Sequence, residues 1–331
     1  MARSLVLLMA CALLICGCGS PQSMFRSASK QSHDIDLLWW WMLGAAALVF
    51  FGALALLGIA WIRRDTPGLP FFGERESVAE LMVLAFGIAI PVVALVALFG
   101  VSDIYLIGES SPPDPRKTAM TIHVIGHQWW WEVKYPGTGV VTANEIHLPV
   151  KTRVNVVVTT VDVIHSLWVP ALARKVDTIP GAHNRILFDV GRVGVYRGQC
   201  SQYCGLEHAD MALKVVVQTR AAYRSWLNGQ QRPAPATATP LQAAGRNVFM
   251  NSQCASCHTI GGTSARGAIG PNLTHVGSRT SIAADTLANT PANLAAWIRD
   301  PQAIKPGVLM PDLGLSKPKV RELTAYLESL R

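Results

Sequence analysis

Three regimes of hydrophobic spacing follow one another along the chain. Arg3 precedes an apolar run from Leu5 to Ile15 that ends at Cys16-Gly17-Cys18-Gly19. That run is too short to cross a bilayer and predicts a secretory signal over residues 1–18. Ile15, Cys16 and Gly17 before Cys18 resemble a bacterial lipoprotein cleavage box, so Cys18 is a lipidation candidate, with ordinary signal cleavage as the alternative. Two longer apolar stretches come next, Leu37 to Ile62 with no charge and Ser77 to Ile107 interrupted by Pro91. At ~1.5 Å per residue each is long enough to span, which predicts a membrane hairpin over residues 34–107. Trp39-Trp40-Trp41 suits an interfacial aromatic belt, and Arg63, Arg64 and Arg75 between the stretches place that loop in the cytoplasm. Everything after Ile107 is then expected on the periplasmic side of a bacterial inner membrane.

From Thr118 to about Tyr223 the spacing turns to short β-branched runs such as Val154–Val161 and Arg185–Val190, punctuated by Pro136-Gly137 and Pro180-Gly181. This predicts an all-β Greek-key sandwich or barrel over residues 118–228. Residues 229–240 carry four Pro and Gly residues and no large apolar side chain, and predict a semi-extended linker. Helical patterns return over Leu241–Met250, Pro291–Arg299 and Lys317–Leu330, so residues 241–331 predict a small all-α domain.

Composition agrees with a membrane protein: half of the 331 residues are hydrophobic and 15% are charged. The net charge of +8 is spread without a Lys/Arg block, so nucleic acid is excluded as a partner class. Thr118–Asn228 holds 11 basic and 7 acidic residues, and Leu241–Arg331 holds 9 and 5, so each carries +4. The β-domain is therefore not an overall acidic dock for a basic partner, and a tether raises the local concentration of the α-domain to roughly mM instead.

Two of the three cysteine groups lie among His and Met, which points to metal or cofactor chemistry. In Cys200-Ser201-Gln202-Tyr203-Cys204-Gly205-Leu206-Glu207-His208-Ala209-Asp210-Met211 one loop offers two thiolates, an imidazole and a thioether. That soft set suits copper, and the second thiolate allows two bridging sulfurs to hold two copper ions. His165, at the end of the Val-rich strand, is the expected remote ligand. Zinc or a disulfide would leave Met211 unexplained. Further on, Cys254-Ala255-Ser256-Cys257-His258 is a C-x-x-C-H haem-attachment sequence, with Cys254 and Cys257 as covalent anchors and His258 as axial ligand.

The first loop resembles the copper-A loop of cytochrome c oxidase subunit II. The resemblance extends through the hairpin, Gly126-His127-Gln128-Trp129-Trp130-Trp131, His165-Ser166-Leu167-Trp168-Val169-Pro170 and Lys175–Gly181, covering roughly Asp34 to Tyr223. It implies a cupredoxin-like barrel and a copper-A centre held by His165, Cys200, Cys204, His208, Met211 and the main-chain carbonyl of Gln202. It also implies an exposed Trp129 as the point of electron entry and Glu80 as a candidate for proton entry, an interfacial anchor being the other reading of Glu80. The family has glutamate where this chain has Gln202; an amide suits a hard cation poorly, so the family's interfacial magnesium is not carried over. Leu241 to Arg331 resembles class I cytochrome c. Gly270-Pro271-Asn272-Leu273 matches the segment that orients the proximal histidine, and Met310-Pro311 matches the distal-ligand motif, with His275 as the rival. The fusion resembles the caa-type oxidases. It implies electrons from cytochrome c or a cytochrome bc complex, passed through haem c and copper A to subunit I, with subunit III as a further partner. Neither apolar stretch contains a histidine for a buried haem–copper centre, so dioxygen reduction is expected in the partner. A membrane-tethered shuttle for another reductase, a copper chaperone and a quinol-oxidase subunit are the alternatives.

Overall fold

The computed structural model of the chain describes residues 20, 22–64, 76–104 and 112–331. The signal expected over residues 1–18, its Cys18, Arg75 and the last residues of the second apolar stretch (105–107) lie outside the described residues. Two compact units result, one formed by the flanks of the hairpin and one by residues 33–111.

In the hairpin unit, helix α1 (Lys30–Ile62) begins seven residues before the expected apolar start at Leu37. The Ser29 hydroxyl accepts from the Ser32 N–H at 3.0 Å, an N-cap that lets polar residues join the helix ahead of its apolar body. The second stretch forms α2 (Glu76–Leu84), a π-helical turn over Ala85–Ala89, and α3 (Ile90–Ser102). Pro91 has no N–H to give the preceding turn, and the widened turn lies just before it. Both apolar segments, within Lys30–Ile62 and Glu80–Ser102, are long enough to cross a membrane.

The other unit begins with a strap over residues 22–32 that lies against the β-domain. The Ala28 N–H donates to the Ala171 carbonyl at 2.8 Å, and the Gly191 N–H to the Ala28 carbonyl at 2.9 Å. The Ser32 hydroxyl donates to the Pro170 carbonyl at 2.9 Å. The β-domain is a two-layer sandwich. One sheet has the order β3-β2-β1-β5-β8, from Val140–Ala143, Trp130–Tyr135, Met120–His127, Thr152–Thr160 and Asn184–Val190. The other has the order β4-β10-β9-β6-β7, from Glu145–Pro149, Ala212–Gln218, Gly194–Cys200, His165–Trp168 and Val176–Thr178. The parallel pairs β1–β5 and β4–β10 give it Greek-key connections. Alternate residues such as Ile122, Val124, Val154, Val156 and Val158 face inward and are fully buried.

A helix closes this domain where the sequence pattern read strand and then linker. Helix α4 (Arg220–Gln230) is capped by the Thr219 side chain and takes in Gly229 and Gln230. Its Trp226 stacks on His147 at 4.1 Å and meets Tyr135 edge-on at 5.2 Å, which pins the helix to β4 and β2. Residues 231–239 then run without helix or strand to a capping box, in which Thr239 and Gln242 start α5 (Pro240–Met250). That segment is tied down: Ala234 N–H donates to the Gly261 carbonyl at 3.0 Å, and the Arg232 carbonyl pairs with the His275 ring.

The C-terminal domain packs α5 against α9 (Lys317–Ser329), with α6 (Cys254–Cys257), α7 (Pro291–Arg299) and α8 (Pro301–Ile304) around them. Phe249 and Tyr326 meet edge to face at 6.2 Å in its core. A two-residue hairpin, β11 (Ser281–Ile282) with β12 (Leu287–Ala288), projects from it. We expect Trp226→Ala to destabilise the sandwich by about 2 kcal/mol, since one face of a half-buried indole is lost; urea unfolding followed by tryptophan fluorescence measures the shift.

Candidate functional site

The loop between β9 and β10 carries the first set of donors. Its ends are held by the hairpin register, Ala212 opposite Gln199, and by Cys200 N–H donating to the Met211 carbonyl at 2.9 Å. Strand β6 lies on the other side of β9 with Leu167 opposite Cys200, which places His165 beside the loop. The sulfurs of Cys200 and Cys204 are 3.8 Å apart. His165 Nδ1 lies 3.9 Å from the Cys200 sulfur, and His208 Nδ1 lies 3.6 Å from the Cys204 sulfur. Met211 Sδ is 3.9 Å from Cys204, and the Gln202 carbonyl is 3.2 Å from Cys200. Five soft donors and one carbonyl thus face a common centre, an arrangement the chemistry of copper fits.

The surroundings support these donors. Gly126 has to be glycine, because a Cβ there would sit 2.8 Å from the His165 ring. Asp162 holds His165 Nε2 at 2.8 Å, which turns Nδ1 toward the sulfurs. Burial works against the charged His165 ring, but Asp162 and Cys200 outweigh it and raise its pKa. The contact with Cys204 is the main force pulling the Cys200 thiol down to about 3, and the same contact pushes the Cys204 thiol up. The shared contact thus favours the thiolate form of Cys200, and a bound cation would draw off the second proton.

The second set of groups lines a largely apolar cavity. Cys254, Cys257, His258 and Met310 all border it, with Leu294 and Trp297. His258 Nδ1 donates to the Pro271 carbonyl at 2.8 Å, which leaves Nε2 free for a ligand, and burial lowers the ring's pKa. Gly270 lies directly against this ring, where any Cβ would collide with it. His275 instead pairs through Nε2 with the Arg232 carbonyl at 3.0 Å and is not among the cavity's lining residues. Arg279 Nε and Ser281 Oγ are buried without a hydrogen-bond partner, and both residues line the cavity. Burial lowers the Arg279 guanidinium to about 10. A cationic donor and a hydroxyl left open in an apolar cleft fit a planar macrocycle with carboxylate substituents, and haem is one.

Gln128, Trp129 and Trp130 of the β-domain complete the wall of this same cavity. Trp129 was expected on the surface; it is only 7% exposed and belongs to the core cluster of the sandwich. Its indole Nε1 donates to the Cys204 carbonyl at 3.0 Å, and Gln128 Nε2 donates to the same oxygen at 2.8 Å. Glu80 lies in α2, within the hairpin unit and outside the unit that holds both centres. Asp162, Arg279, Ser281 and Lys305 escaped the sequence reading. Only Asp162 had a local signal, its spacing of three residues before His165.

Comparison with known proteins agrees with both centres. The family model described as cytochrome c oxidase subunit II, periplasmic domain, matches residues 138–219, and that described as cytochrome c matches residues 242–331. Cytochrome c oxidase subunit 2 of Alkalihalophilus pseudofirmus is 36% identical over 246 residues, covering 73% of this chain and 71% of that protein. The protein of the same name from Bacillus subtilis is 27% identical over 350 residues, covering 99% and 98%. Among solved structures, the periplasmic domain of subunit II of cytochrome oxidase (CoxB) of Bradyrhizobium japonicum is 33% identical. It covers 35% of this chain and 95% of that one, at a TM-score of 0.34. With two apolar helices ahead of a cupredoxin-like sandwich and a helical haem domain behind it, the chain belongs to the cytochrome c oxidase subunit II family, with a cytochrome c domain fused to its C-terminal side.

Proposed function

We propose that the chain is the electron-accepting subunit of a proton-translocating cytochrome c oxidase in a bacterial inner membrane. Electrons from cytochrome c or a cytochrome bc complex enter at one covalent haem c and leave through a binuclear copper-A centre to subunit I, where dioxygen is reduced to water. Subunit III is a further partner. One observation carries the reading: Trp129 borders the haem cavity and also donates to the Cys204 carbonyl at 3.0 Å, so a single side chain joins the two centres.

The residues divide the work as follows. Cys254 and Cys257 would form the thioether anchors of a haem in the cavity, and His258 and Met310, which also line it, would supply its ligands. Arg279 and Ser281 would offer their open donors to the carboxylates of the macrocycle. His165, Cys200, Cys204, His208, Met211 and the Gln202 carbonyl hold the copper pair, and Asp162 fixes the orientation of His165. When bound, the haem and the copper pair each supply one-electron redox chemistry. Trp129 serves as the entry group on the copper side, with its indole largely withdrawn from water. Glu80, near the start of the second span, is assigned to proton entry in the hairpin, and Cys18 to lipid attachment. The exposed amide of Gln202 offers no carboxylate for magnesium, and no magnesium site is assigned.

Three experiments test this. Purification from native membranes should bring down a large polytopic haem-containing subunit in stoichiometric amount; a chain recovered alone with full electron-transfer activity would point to a free-standing shuttle. Cys200→Ser should abolish the mixed-valence copper signal while leaving the haem spectrum intact, and persistence of the signal would remove the copper assignment. Met310→Ala should open the iron to exogenous ligands and lower the haem potential, whereas an unchanged spectrum would transfer the axial role to His275.

A further inference from the structure

Neither centre uses Lys305, yet it is 1% exposed and lies where the two domains meet. It follows α8, five residues before Met310. Its ammonium donates to the Asp210 carbonyl at 2.8 Å, the Trp129 carbonyl at 3.4 Å and the Ala283 carbonyl at 3.5 Å. An ammonium withdrawn from water onto neutral carbonyls is expensive unless the arrangement yields something elsewhere.

The three carbonyls show what that is. Asp210 precedes the copper-site residue Met211, and Trp129 is the side chain shared by the two centres. Ala283 opens a turn in which Ala283, Ala284 and Asp285 all have left-handed backbone, with φ of 52°, 56° and 66°. Three consecutive non-glycine residues in that region persist only where surrounding contacts hold them. The same turn supplies the rest of the junction. Ala212 N–H donates to the Ala284 carbonyl at 3.2 Å, and Asp285 pairs with Lys214 at 2.9 Å and Arg197 at 3.5 Å. Just upstream, the Thr280 N–H and hydroxyl donate to Glu145 at 2.8 and 2.6 Å. On the haem side, Gln302 Nε2 donates to the carbonyls of Val308 and Met310 at 2.7 and 2.9 Å, bracing the segment that runs from Lys305 to Met310. Lys305 is thus linked to the haem ligand segment on one side and to both copper-side loops on the other.

We propose that Lys305 is a positioning residue that locks the haem domain onto the copper domain, so that the chain moves its electron within one docked body and not by a haem domain swinging on residues 231–239. This rests on the reading of haem as donor and copper pair as acceptor given above. One electron passes from reduced haem to the oxidised copper pair; no bond forms or breaks, and no proton is required for balance. Lys305 touches neither metal and acts through the carbonyls of Trp129 and Asp210. A lock is needed because the two domains each carry +4 and repel at long range.

Lys305→Met in the full-length oxidase keeps the side-chain length and removes the donors. Its optical and paramagnetic spectra should match the unsubstituted protein. Haem-to-copper transfer after photoreduction of the haem should slow by about tenfold, as expected for a lost fixed orientation, and become dependent on solvent viscosity. Hydrogen exchange should rise in residues 205–212 and 280–286. Wild-type values for both rate and exchange would overturn the proposal. If the unsubstituted protein shows no haem-to-copper transfer at all, the functional reading fails and the lock fails with it. Should Lys305→Met lose haem, the pair Thr280→Val with Asp285→Asn opens the same junction away from Met310, and the same two readouts decide.

Discussion

Strand β9 pairs on one side with β10 and on the other with β6, and this double pairing sets where every copper-side donor sits. The β9–β10 register closes the loop from Cys200 to Met211 at a fixed length, while the β6 register delivers a histidine 35 residues distant in sequence. A slip by one residue in either ladder would turn the donors to the opposite face of the sheet. The buried thiol, thioether and imidazole groups belong to the same inner layer as the sandwich core, in which Cys200, Cys204 and Met211 pack with Leu167 and Val169. Binding geometry is therefore a by-product of how the core packs, and a rigid core gives a rigid set of donors.

The junction of the two domains follows a different logic. Bulk charge opposes it, yet single groups with fixed partners make it: Thr280 on Glu145, Asp285 on Lys214 and Arg197, and Lys305 on three carbonyls. Within a desolvated contact, such local pairs count for more than the net charge of each body. The Trp129 carbonyl is one of the three that Lys305 meets, so the junction reaches the residue whose indole already packs into the sandwich core.

Features written in consecutive residues were readable before any coordinates. The loop from Cys200 to Met211 and the Cys254–His258 motif are of this kind, since their spacing alone restricts the chemistry. His165 was readable at one remove, because a strand end is where a sandwich brings distant residues together. Helix α4 was not, since Tyr223, Trp226 and Leu227 form its apolar stripe but stand among Arg220, Arg224 and a Gly-Pro break. Lys305 gave no sign at all, because a solitary lysine in a polar loop reads as a solvated side chain. Trp129 was expected in water, whereas it sits in the turn between β1 and β2 with its indole in the core cluster of the sandwich.

The strap over residues 22–32 has a topological consequence. Ala28 is hydrogen-bonded to Ala171 and Gly191, so chain on both sides of the apolar helices ends up in one folded body. A polypeptide whose two flanks share such a body on one face of a bilayer can cross that bilayer only an even number of times. The strap thus fixes the parity of the anchor from the ectodomain itself, independently of the arginines in the loop. Its partners lie far downstream, Ser29 and Leu172 being 143 residues apart, so at synthesis rates of about 5–20 residues per second the strap waits on the order of ten seconds for the surface it joins.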